Sequence, residues 1–561
     1  MTQQTFENFE MPYKVNPKFK TSAAYFCMEF GIDQAMKIFS GGLGFLAGSH
    51  MRSAYELKQN MVGIGILWKY GYYDQTRKAN REMDALFMER HYNFLEETGI
   101  RFDIQINNHP VTVKAMYLAP EVFNTCPMFF LTTDIPENDH LARTICNRLY
   151  DNNAETKIAQ CILLGMGGVK LLEAINRTPD AYHFNEAHAL PAAFHLYQKT
   201  GSVEAVREKV VFTTHTPVEA GNEKHDIHLL EKMSFFGDLD LATVREITGM
   251  HDDVFNHTLA ALRIAKIANG VSKIHGEVAR EMWSPYDNIC EITHITNSQN
   301  HTYWHDPALD AALKGKKTKA YLERKAELKE AAFKEVADQT GKIFDPSVLT
   351  LVWARRFAQY KRPHLITQDL ERFERLLANE KYPIQIIWAG KPYPQDYGAI
   401  EIWNMLAHLT KKYPNTAILT GYELALSKTI KAGSDVWLNN PRIPREASGT
   451  SGMTAAMLGS VNLSTTDGWV PEFCEQGKNC WMIPKADLTQ PQEVQDAFDR
   501  DNLLDILENE ILPTYYDKPK TWLKIAQASM REVSPQFESN RMAADYYTML
   551  YNVKKNVGAA V

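Results

Sequence analysis

Short apolar runs alternate along the chain with longer amphipathic segments. Five runs rich in β-branched and aromatic residues lie at 210–214, 349–354, 384–388, 417–419 and 435–438. Nearly continuous apolar strands that alternate with helices are typical of parallel sheets covered on both faces. The pattern therefore predicts an α/β protein with doubly wound sheets.

One segment, 312–342, is dominated by Lys, Glu and Ala and separates two series of strands. A thin apolar stripe and a correctly ordered Glu330–Lys334 pair indicate a solvated helix. The stripe consists of Leu322, Leu328, Ala332 and Val336. The position of this helix between the strand series predicts a connection between two domains.

The chain is long enough for two large domains. After them, two helices are predicted, with a break near Pro535, because proline interrupts a helix interior. The predicted division is a Rossmann-like domain at 1–305, a helical connection at 306–344, a second Rossmann-like domain at 345–520, and a helical segment at 521–561.

Composition excludes several classes of protein. With 45% hydrophobic residues the chain can bury a large core, and a net charge of -7 argues against a nucleic-acid binder. No run approaches the ~20 apolar residues of a membrane span, and the start lacks a basic, then apolar, secretory pattern. We therefore expect a cytoplasmic protein without membrane or nucleic-acid partners.

The seven cysteines are an odd number without a CxxC pair, which favours reduced thiols. Cys474 and Cys480 are close in sequence, but two thiols are weak support for a metal site. No metal centre is predicted.

A glycine-rich segment at 40–48 is the first of four candidate sites. Its glycines allow backbone N–H groups to approach an anion, and a following helix N-terminus would favour negative charge. A packing turn between strand and helix explains the same glycines. No Lys-Ser/Thr follows, so this is not a Walker loop.

The second candidate combines the segment 183–188 with the segment 213–217. Polar residues at the ends of apolar strands lie on the crevice side of a parallel sheet, where ligands bind. The alternative is that His188 and His215 satisfy buried backbone groups. The spacing of the histidines does not match a zinc hydrolase.

The third candidate is a cluster of cations, Arg355, Arg356, Lys361 and Arg362, directly after a predicted strand. Clustering cations is costly unless an anion binds there, and Arg and Lys are common phosphate ligands. An exposed charged run is the alternative. Lys391, after the next strand, could add a cation to the same edge.

The fourth candidate is the loop 439–457, which joins a strand to a helical pattern through small residues. Its helix N-terminus could hold a phosphate, and Glu446 could accept hydrogen bonds from sugar hydroxyls. A solvated turn is the alternative. Together the four candidates suggest a substrate cleft at the domain interface for phosphorylated or nucleotide-activated sugars.

The chain resembles the α-glucan (glycogen, starch, maltodextrin) phosphorylases, especially their short bacterial and archaeal forms. The resemblance extends from Tyr25 to Trp469. It rests on SGGLGFLAG at 40–48, NEAH at 185–188, FTTHTPVEAGN at 212–222, NGVSKIHGEVAREMW at 269–283, RRFAQYKR at 355–362, AGK at 389–391 and DVWLNNPRIPREASGTSGM at 435–453. It implies the two-domain GT-B architecture and retaining transfer of glucosyl units from an α-1,4-glucan to phosphate.

The resemblance also implies roles for single residues. Arg356 and Lys361 would hold the transferring phosphate, the carbonyl of His215 would stabilise charge at the anomeric carbon, and Glu446 would fix the sugar. These four are the expected catalytic residues. The expected substrate and phosphate ligands are Gly41, Gly42, Leu43, Gly44, Asn185, Glu186, His188, Asn297, Arg355, Ser448, Gly449 and Thr450.

One departure from the family pattern concerns the cofactor. Phosphorylases have a lysine directly after the GTSGM or GTGNM segment, where it forms an imine with pyridoxal phosphate, but this chain has Thr454. Threonine has no amine, so attachment by that route is lost. Ser49, Ser298 and Gln299 are lesser departures.

Three functions therefore stay open. The first is an α-glucan phosphorylase that binds pyridoxal phosphate without an imine. The second is a GT-B glycosyltransferase that uses a nucleotide-activated sugar, whose distal phosphate would meet Arg356 and Lys361. The third is a non-catalytic glucan-binding homologue. Dimerisation is common in the family, so a homodimer is an expectation of the resemblance alone.

Overall fold

The computed structural model describes residues 6–553. Each strand predicted from the apolar runs is present, with ends that differ by one residue at most. In chain order the strands are β1 (Ala23–Phe26), β2 (Met61–Ile66), β3 (Asp74–Arg77), β4 (Met83–Leu86), β5 (Glu96–Ile106), β6 (His109–Leu118), β7 (Met128–Thr132), β8 (Ala181–Asn185), β9 (Val210–Thr213), β10 (Lys224–Asp226), β11 (Val254–Asn256), β12 (Ile267–Gly270), β13 (Glu291–His294), β14 (Leu349–Ala354), β15 (Ile384–Ala389), β16 (Thr416–Leu419), β17 (Val436–Asn439), β18 (Val461–Thr465) and β19 (Cys480–Ile483).

Helices connect most of the parallel strands. In chain order they are α1 (Gly42–Glu56), α2 (Pro120–Phe123), α3 (His140–Arg143), α4 (Ala154–Ile162), α5 (Gly168–Ala174), α6 (Pro191–Thr200), α7 (Val203–Arg207), α8 (Ile227–Lys232), α9 (Leu241–Thr248), α10 (His257–Ile264), α11 (Lys273–Trp283), α12 (His301–Trp304), α13 (Pro307–Lys314), α14 (Thr318–Thr340), α15 (Leu370–Leu377), α16 (Tyr397–Leu409), α17 (Leu424–Gly433), α18 (Ser451–Met457), α19 (Val470–Phe473), α20 (Gln492–Ile506), α21 (Leu512–Asp517), α22 (Pro519–Phe537) and α23 (Ser539–Tyr546).

The chain forms two compact units. Within the described residues, the first unit comprises 6–72, 87–297 and 539–553, and the second comprises 73–86 and 298–538. The units are therefore discontinuous in sequence. Periodicity predicts elements but not which unit they join, so the predicted division into consecutive domains differs from this one.

The first unit is built on a mixed sheet. Among the described residues its strand order is β13-β12-β9-β8-β1-β2-β7-β6-β5. The strands from β13 to β7 pair in parallel, whereas β6 pairs antiparallel with β7 and with β5. The chain runs from β1 toward one edge and later from β8 toward the other, so the sheet is doubly wound.

The second unit is built on a parallel sheet with the order β16-β15-β14-β17-β18-β19 over the part of the chain that the structure describes. From the first strand of this sheet, β14, the chain proceeds outward through β15 and β16 and then returns to β17 on the other side. This 3-2-1-4-5-6 order is the one found in Rossmann folds. The predicted α/β class with parallel sheets is confirmed.

Burial explains why the strands of the second sheet are apolar at consecutive positions. On one face, Val352, Ile387 and Trp437 belong to a core cluster that includes residues of α14, α17 and α18. On another side, Trp388 contacts Phe373 of α15, with ring centres 6.5 Å apart. A strand covered on both faces has no position for a polar side chain to reach water.

The charged segment proves to be part of the second unit rather than a solvated connection. Leu322 of the predicted stripe is exposed on α14, whereas Lys329 is buried and pairs with Asp435 at 2.7 Å. The predicted helix and the burial of Ala332 and Val336 in its stripe are confirmed, whereas a fully solvated helix is not, because a partner of opposite charge allows a lysine to be buried.

One other local prediction also needs correction. Pro535 lies inside α22, and the helix break follows at Glu538, three residues later than the proline suggests. Cys474 and Cys480 lie side by side across a turn, with Cα atoms 5.5 Å apart, and the prediction of reduced thiols stays a prediction for this pair. The other five cysteines are free.

No helix within residues 6–553 is both long and apolar enough to cross a membrane.

Candidate active site

The sheet of the first unit places several predicted site residues at its carboxyl edge. β1 and β8 are parallel neighbours, and the order in which strands are added to the sheet reverses between them, which is where α/β sheets bind ligands. Asn185 ends β8, and its register partner Thr213 ends β9, two residues before His215. The strand ends therefore bring together the segments that the sequence predicts as the second candidate.

The glycine-rich loop binds an internal carboxylate. Ser40 and Gly41 donate their backbone N–H groups to Glu29 Oε2 at 2.6 and 3.2 Å, and Tyr150 donates its hydroxyl to Oε1 at 2.7 Å. The backbone of the loop therefore binds the carboxylate of Glu29, and its role toward phosphate stays a prediction. The motif around Glu29 was part of the resemblance, yet nothing in its sequence indicated this contact.

The four expected ligands of this loop differ in their surroundings. Gly41 precedes α1, and Gly42, Leu43 and Gly44 form its first turn. A Cβ atom on Gly41 or Gly42 would meet open space, whereas one on Gly44 would lie 2.6 Å from Glu29 Oε2. Gly41 and Gly42 are therefore the positions that leave the backbone accessible, while Gly44 is required for packing.

His215 lies in a polar network with Asn185. Its Nε2 atom is 2.6 Å from Asn185 Oδ1, and the Asn185 amide in turn donates to the Cys27 sulfur at 3.2 Å. Burial lowers the pKa of His215 to about 3. The imidazole is therefore neutral near pH 7 and donates its Nε2 hydrogen to Asn185.

Glu186 supports the same loop from the opposite end. Its carboxylate accepts hydrogen bonds from the His215 backbone N–H and from the Thr216 hydroxyl. Burial raises the pKa of Glu186 to about 7. Its backbone has a φ of 66°, a value that residues other than glycine rarely adopt. Such residues are often found at functional sites.

Two further predicted ligands in this unit have buried atoms without a hydrogen-bond partner among the described residues. These are His188 Nδ1 and Asn297 Oδ1. Leaving a buried polar atom unpaired costs about 1–3 kcal/mol, so such atoms are expected where a ligand or water binds. Of the histidines in the second candidate, His183 is instead structural, since it contacts Thr213 and Tyr551 at 2.8 and 2.7 Å.

In the second unit the third and fourth candidates come together. β14 and β17 are paired neighbours at the switch point of the sheet. The cation segment follows β14, and the loop with Glu446 follows β17. Lys361 and Glu446 are 85 residues apart in sequence, but the carboxyl ends of two adjacent strands bring them into contact.

Glu446 joins two cations of this cluster. Its Oε2 atom is 3.0 Å from Arg355 Nη2 and 2.8 Å from Lys361 Nζ, and all three side chains are at least 88% buried. Burial alone would raise the pKa of Glu446, but Arg355 and Lys361 outweigh it and hold the pKa at about 2. The carboxylate is therefore ionised across the physiological pH range.

The same cluster retains unused hydrogen-bonding groups. Arg355 Nη1 and the Ser448 hydroxyl are buried without a partner within residues 6–553. Arg355 and Lys361 together provide two positive charges against the single charge of Glu446. An excess of positive charge with unused donors suits an anionic ligand such as phosphate.

The loop after β17 depends on a glycine. Gly449 has a φ of 80°, and a Cβ atom there would lie 3.2 Å from both Arg355 Nη2 and Glu446 Cγ. Thr450 follows at the start of α18, without a side-chain cap. The loop thus presses its backbone against the ion pair.

Three other cations of the sequence prediction do not form an ion pair with Glu446 in the described contacts. Arg362 is turned into the core, where Asp496 and Asp499 bind it at 2.8 and 2.7 Å, so it was wrongly assigned to the phosphate cluster. Lys391 pairs with buried Glu423 at 3.0 Å. Arg356 is exposed, unlike its neighbour Arg355. The sequence shows a cluster of charges but not the carboxylates that neutralise some of them.

The residues of the second unit fit a phosphate group better than an imine. Thr454 is buried in α18 and donates its hydroxyl to the Ser451 carbonyl at 3.0 Å, so it offers no amine. Lys431 on the adjacent α17 is fully enclosed, with its amine 4.3 Å from the centre of the Trp304 ring. Covalently held pyridoxal phosphate therefore does not fit these residues, and no reaction step is assigned to it.

Sequence reasoning missed two residues of this site. Asp467 accepts the Glu446 backbone N–H at 2.9 Å, and burial raises the pKa of Asp467 to about 7. Burial and nearby Arg355 lower the pKa of Lys431 well below its usual value. The DGW sequence at 467–469 marked the end of the resemblance, whereas Lys431 lies in an ordinary amphipathic pattern and gave no signal.

Comparison with known proteins identifies the family. The carbohydrate phosphorylase family model matches residues 287–483. An uncharacterized protein of Methanocaldococcus jannaschii is 46% identical over 94% of this chain and 99% of its own length. The maltodextrin phosphorylase of Thermococcus litoralis is 33% identical over 96% of this chain and 71% of its own length.

A glycogen phosphorylase of Aquifex aeolicus is 29% identical and covers 96% of this chain and 87% of its own length. The similarity to these relatives therefore spans both structural units, whereas the family model covers mainly the second. The chain belongs to the carbohydrate phosphorylase family.

Proposed function

We propose that this protein is a retaining glucosyltransferase that moves a glucosyl unit between an α-1,4-glucan and inorganic phosphate, giving glucose 1-phosphate. The observation that carries the proposal is the buried cluster of Arg355, Lys361 and Glu446 with its unused Arg355 Nη1 and Ser448 donors. Family membership and relatives named maltodextrin and glycogen phosphorylases support it.

In the proposed reaction, phosphate binds to the positive groups of the second unit. Arg355 and Lys361 are held by Glu446 before phosphate arrives, so little reorganisation is needed when negative charge enters. Arg356, exposed beside them, completes the cation set that the resemblance assigns to the phosphate. The Ser448 hydroxyl adds a neutral donor.

The groups of the first unit are proposed to act on the sugar. His215 is neutral, so it does not add a positive charge beside an anomeric carbon that becomes positive in the transition state. Asn185 holds the imidazole ring of His215, and Glu186 holds its backbone N–H.

Thr454 supports a second candidate function. The Thr454 hydroxyl is bonded to its own helix and cannot form an imine with pyridoxal phosphate. In this second function, the cations of the second unit would instead bind the distal phosphate of a nucleotide-activated sugar. The same fold and the same Arg356 and Lys361 would then serve a transferase without pyridoxal phosphate.

A product assay separates the functions. The purified chain is incubated with maltoheptaose and phosphate, and separately with a panel of nucleotide sugars and a glucan acceptor. Formation of glucose 1-phosphate without nucleotide supports the first function. Transfer from a nucleotide sugar alone supports the second, and glucan binding without either product leaves only a binding protein.

A variant links activity to the cluster. Lys361→Met removes one buried cation at similar side-chain length, and we expect kcat/KM for phosphate to fall at least about 100-fold. Lys478→Met, at an exposed lysine paired with Glu475 at 2.8 Å, is the matched control and should retain activity. Equal activities of the two variants would exclude the cluster as the phosphate site.

A further inference from the structure

Two short helices of the second unit bring together a group of side chains that the proposed transfer does not use. His301 begins α12, His305 directly follows it, and Asp310 lies in α13. His301 Nε2 and His305 Nδ1 lie 3.3 and 2.9 Å from the same oxygen, Asp310 Oδ2. One atom from each of the three residues falls within 4.8 Å of the others.

These separations suit a metal ion. With bonds of about 2.0–2.2 Å, as zinc forms with imidazole and carboxylate, tetrahedrally arranged ligand atoms are about 3.4 Å apart. The four-residue spacing of the histidines places both imidazoles on one side of a helical turn. The two ring centres are 4.7 Å apart.

The three side chains are mostly buried, but each remains partly exposed to solvent. The side chains of His301 and His305 are 24% and 23% exposed, and Asp310 is 10% exposed. Arg324 of α14 does not pair with this group in the described contacts and is engaged by Asp306 at 2.7 Å. Three protein ligands with partial exposure leave further coordination positions for water.

We propose that His301, His305 and Asp310 form a binding site for a divalent transition-metal ion of the zinc class. Two imidazoles and one carboxylate favour zinc, cobalt or nickel over magnesium or calcium, which prefer oxygen ligands. Without an ion, His305 Nδ1 is hydrogen-bonded to Asp310 Oδ2 at 2.9 Å, so binding through Nδ1 requires the tautomer with its hydrogen on Nε2.

The position of the site connects it to the rest of the second unit. A bound ion would fix the end of α12 to α13. Trp304 of α12 lies against the amine of Lys431, and α12 packs on α18, which carries Thr454. The ion would therefore stabilise helices next to the cation cluster without touching the groups proposed for transfer.

Zinc titration of the full chain, freed of metal with a chelator, tests the site. We expect one zinc ion per chain that is lost or bound at least about tenfold more weakly in His305→Ala and in Asp310→Asn. Asparagine keeps the shape and one oxygen of Asp310, so this variant addresses the charge with little change in packing. Thermal melting without zinc checks that both variants fold.

A matched control is His228→Ala, which removes an exposed histidine beside Asp253 and Glu231 at 3.6 and 3.9 Å. It should bind zinc as the wild type does. Cobalt serves as a second probe, because its visible absorption reports the coordination geometry, and in Asp310→Asn this absorption should be lost or should require at least about tenfold more cobalt. Zinc binding that is absent, or equal in wild type and both site variants, would overturn the proposal.

Discussion

At the scale of residues, the second unit is organised by a carboxylate with two buried cations. Glu446 neutralises part of the charge of Arg355 and Lys361 and keeps both side chains within hydrogen-bond distance. A buried ion pair of this kind contributes little net stability, but breaking it leaves uncompensated charges. We therefore expect Glu446 to affect both the stability of the second unit and the proposed activity.

Replacement of Glu446 tests this dual effect. Glu446→Gln keeps the shape of the side chain but leaves Arg355 and Lys361 without their counter-charge, so we expect a loss of about 3 kcal/mol in unfolding free energy. Glucosyl transfer should fall by at least about 100-fold. Urea denaturation and product assays measure the two effects.

Glu475→Gln is the control for this change, because Glu475 is an exposed residue paired with Lys478. Its effect on the unfolding free energy should stay within about 0.5 kcal/mol. Similar stability losses in the two variants would show that Arg355 and Lys361 do not depend on Glu446.

Glu186 should make stability depend on pH. Its folded pKa of about 7 lies above the unfolded value of about 4.3, so the folded state holds a proton that the unfolded state has released between these pH values. Stability from this group is therefore present below about pH 4.3 and decreases as the pH rises to about 7.

Glu186→Gln should remove this decrease. Relative to the variant, the wild type should lose roughly 1–3 kcal/mol of unfolding free energy between pH 4.5 and 7.5, with no further change above about pH 8. Thermal or urea unfolding at several pH values measures the difference. A difference that is constant with pH would contradict the raised pKa.

At the scale of elements, the pairing of β14 with β17 assembles the phosphate candidates. The two strands end beside each other, so the loops that follow them meet although they are far apart in sequence. Gly449 lets the second loop approach the first closely, since any side chain there would press on Arg355 and Glu446. The register of two strands thus sets the geometry of the cluster.

Two glycine replacements separate this contact from ordinary backbone strain. Gly449→Ala and Gly477→Ala both place alanine at positive φ, 80° and 68°, at a cost of about 1 kcal/mol each. A Cβ atom on Gly477 would meet nothing within 4 Å, whereas one on Gly449 would displace the ion pair.

We therefore expect similar stability losses but a marked rise in KM for phosphate only in Gly449→Ala. Steady-state kinetics with maltoheptaose and varied phosphate make the comparison. If Gly477→Ala changes KM as much as Gly449→Ala does, the loop contact is not responsible.

At the scale of the whole molecule, the C-terminal return completes the first unit. After the last strand of the second unit, the chain comes back with α23, where Ser539 and Ala543 contact α1 and its following turn at Ser53 and Gln59. The Tyr551 hydroxyl then forms a hydrogen bond of 2.7 Å with Nδ1 of His183 in β8. The segment belongs to the core of a unit that begins some 500 residues earlier.

Removal of residues 539–561 should therefore weaken the first unit selectively. We expect faster amide hydrogen exchange in peptides from β1 and β8, with β14 and β17 little changed, because local stability follows local contacts. Lys329→Met breaks the buried pair with Asp435 in the second unit. This variant should speed amide exchange in β14 and β17 and leave β1 and β8 little changed. Equal deprotection of both units by the truncation would contradict this division of the chain.

Much of the fold was predictable from the sequence because its signals are local. Continuous apolar runs identified β9, β14, β15, β16 and β17 with nearly correct ends, since a strand buried on both faces cannot contain exposed polar positions. The length of the chain and its two series of strands also predicted two α/β units. Neither signal indicated that residues 73–86 and 539–553 leave their sequence neighbours to join the other unit.

The sequence by itself determined which segments are strands and where cations, glycines and carboxylates are concentrated. Only the tertiary structure decided that Arg355 and Lys361 meet Glu446 while Arg362 turns to Asp496, that Glu29 occupies the glycine loop, and that two histidines share Asp310. The physical reason is that periodicity reflects local burial, whereas charge pairing depends on which distant segments the sheet order and helix packing bring into contact.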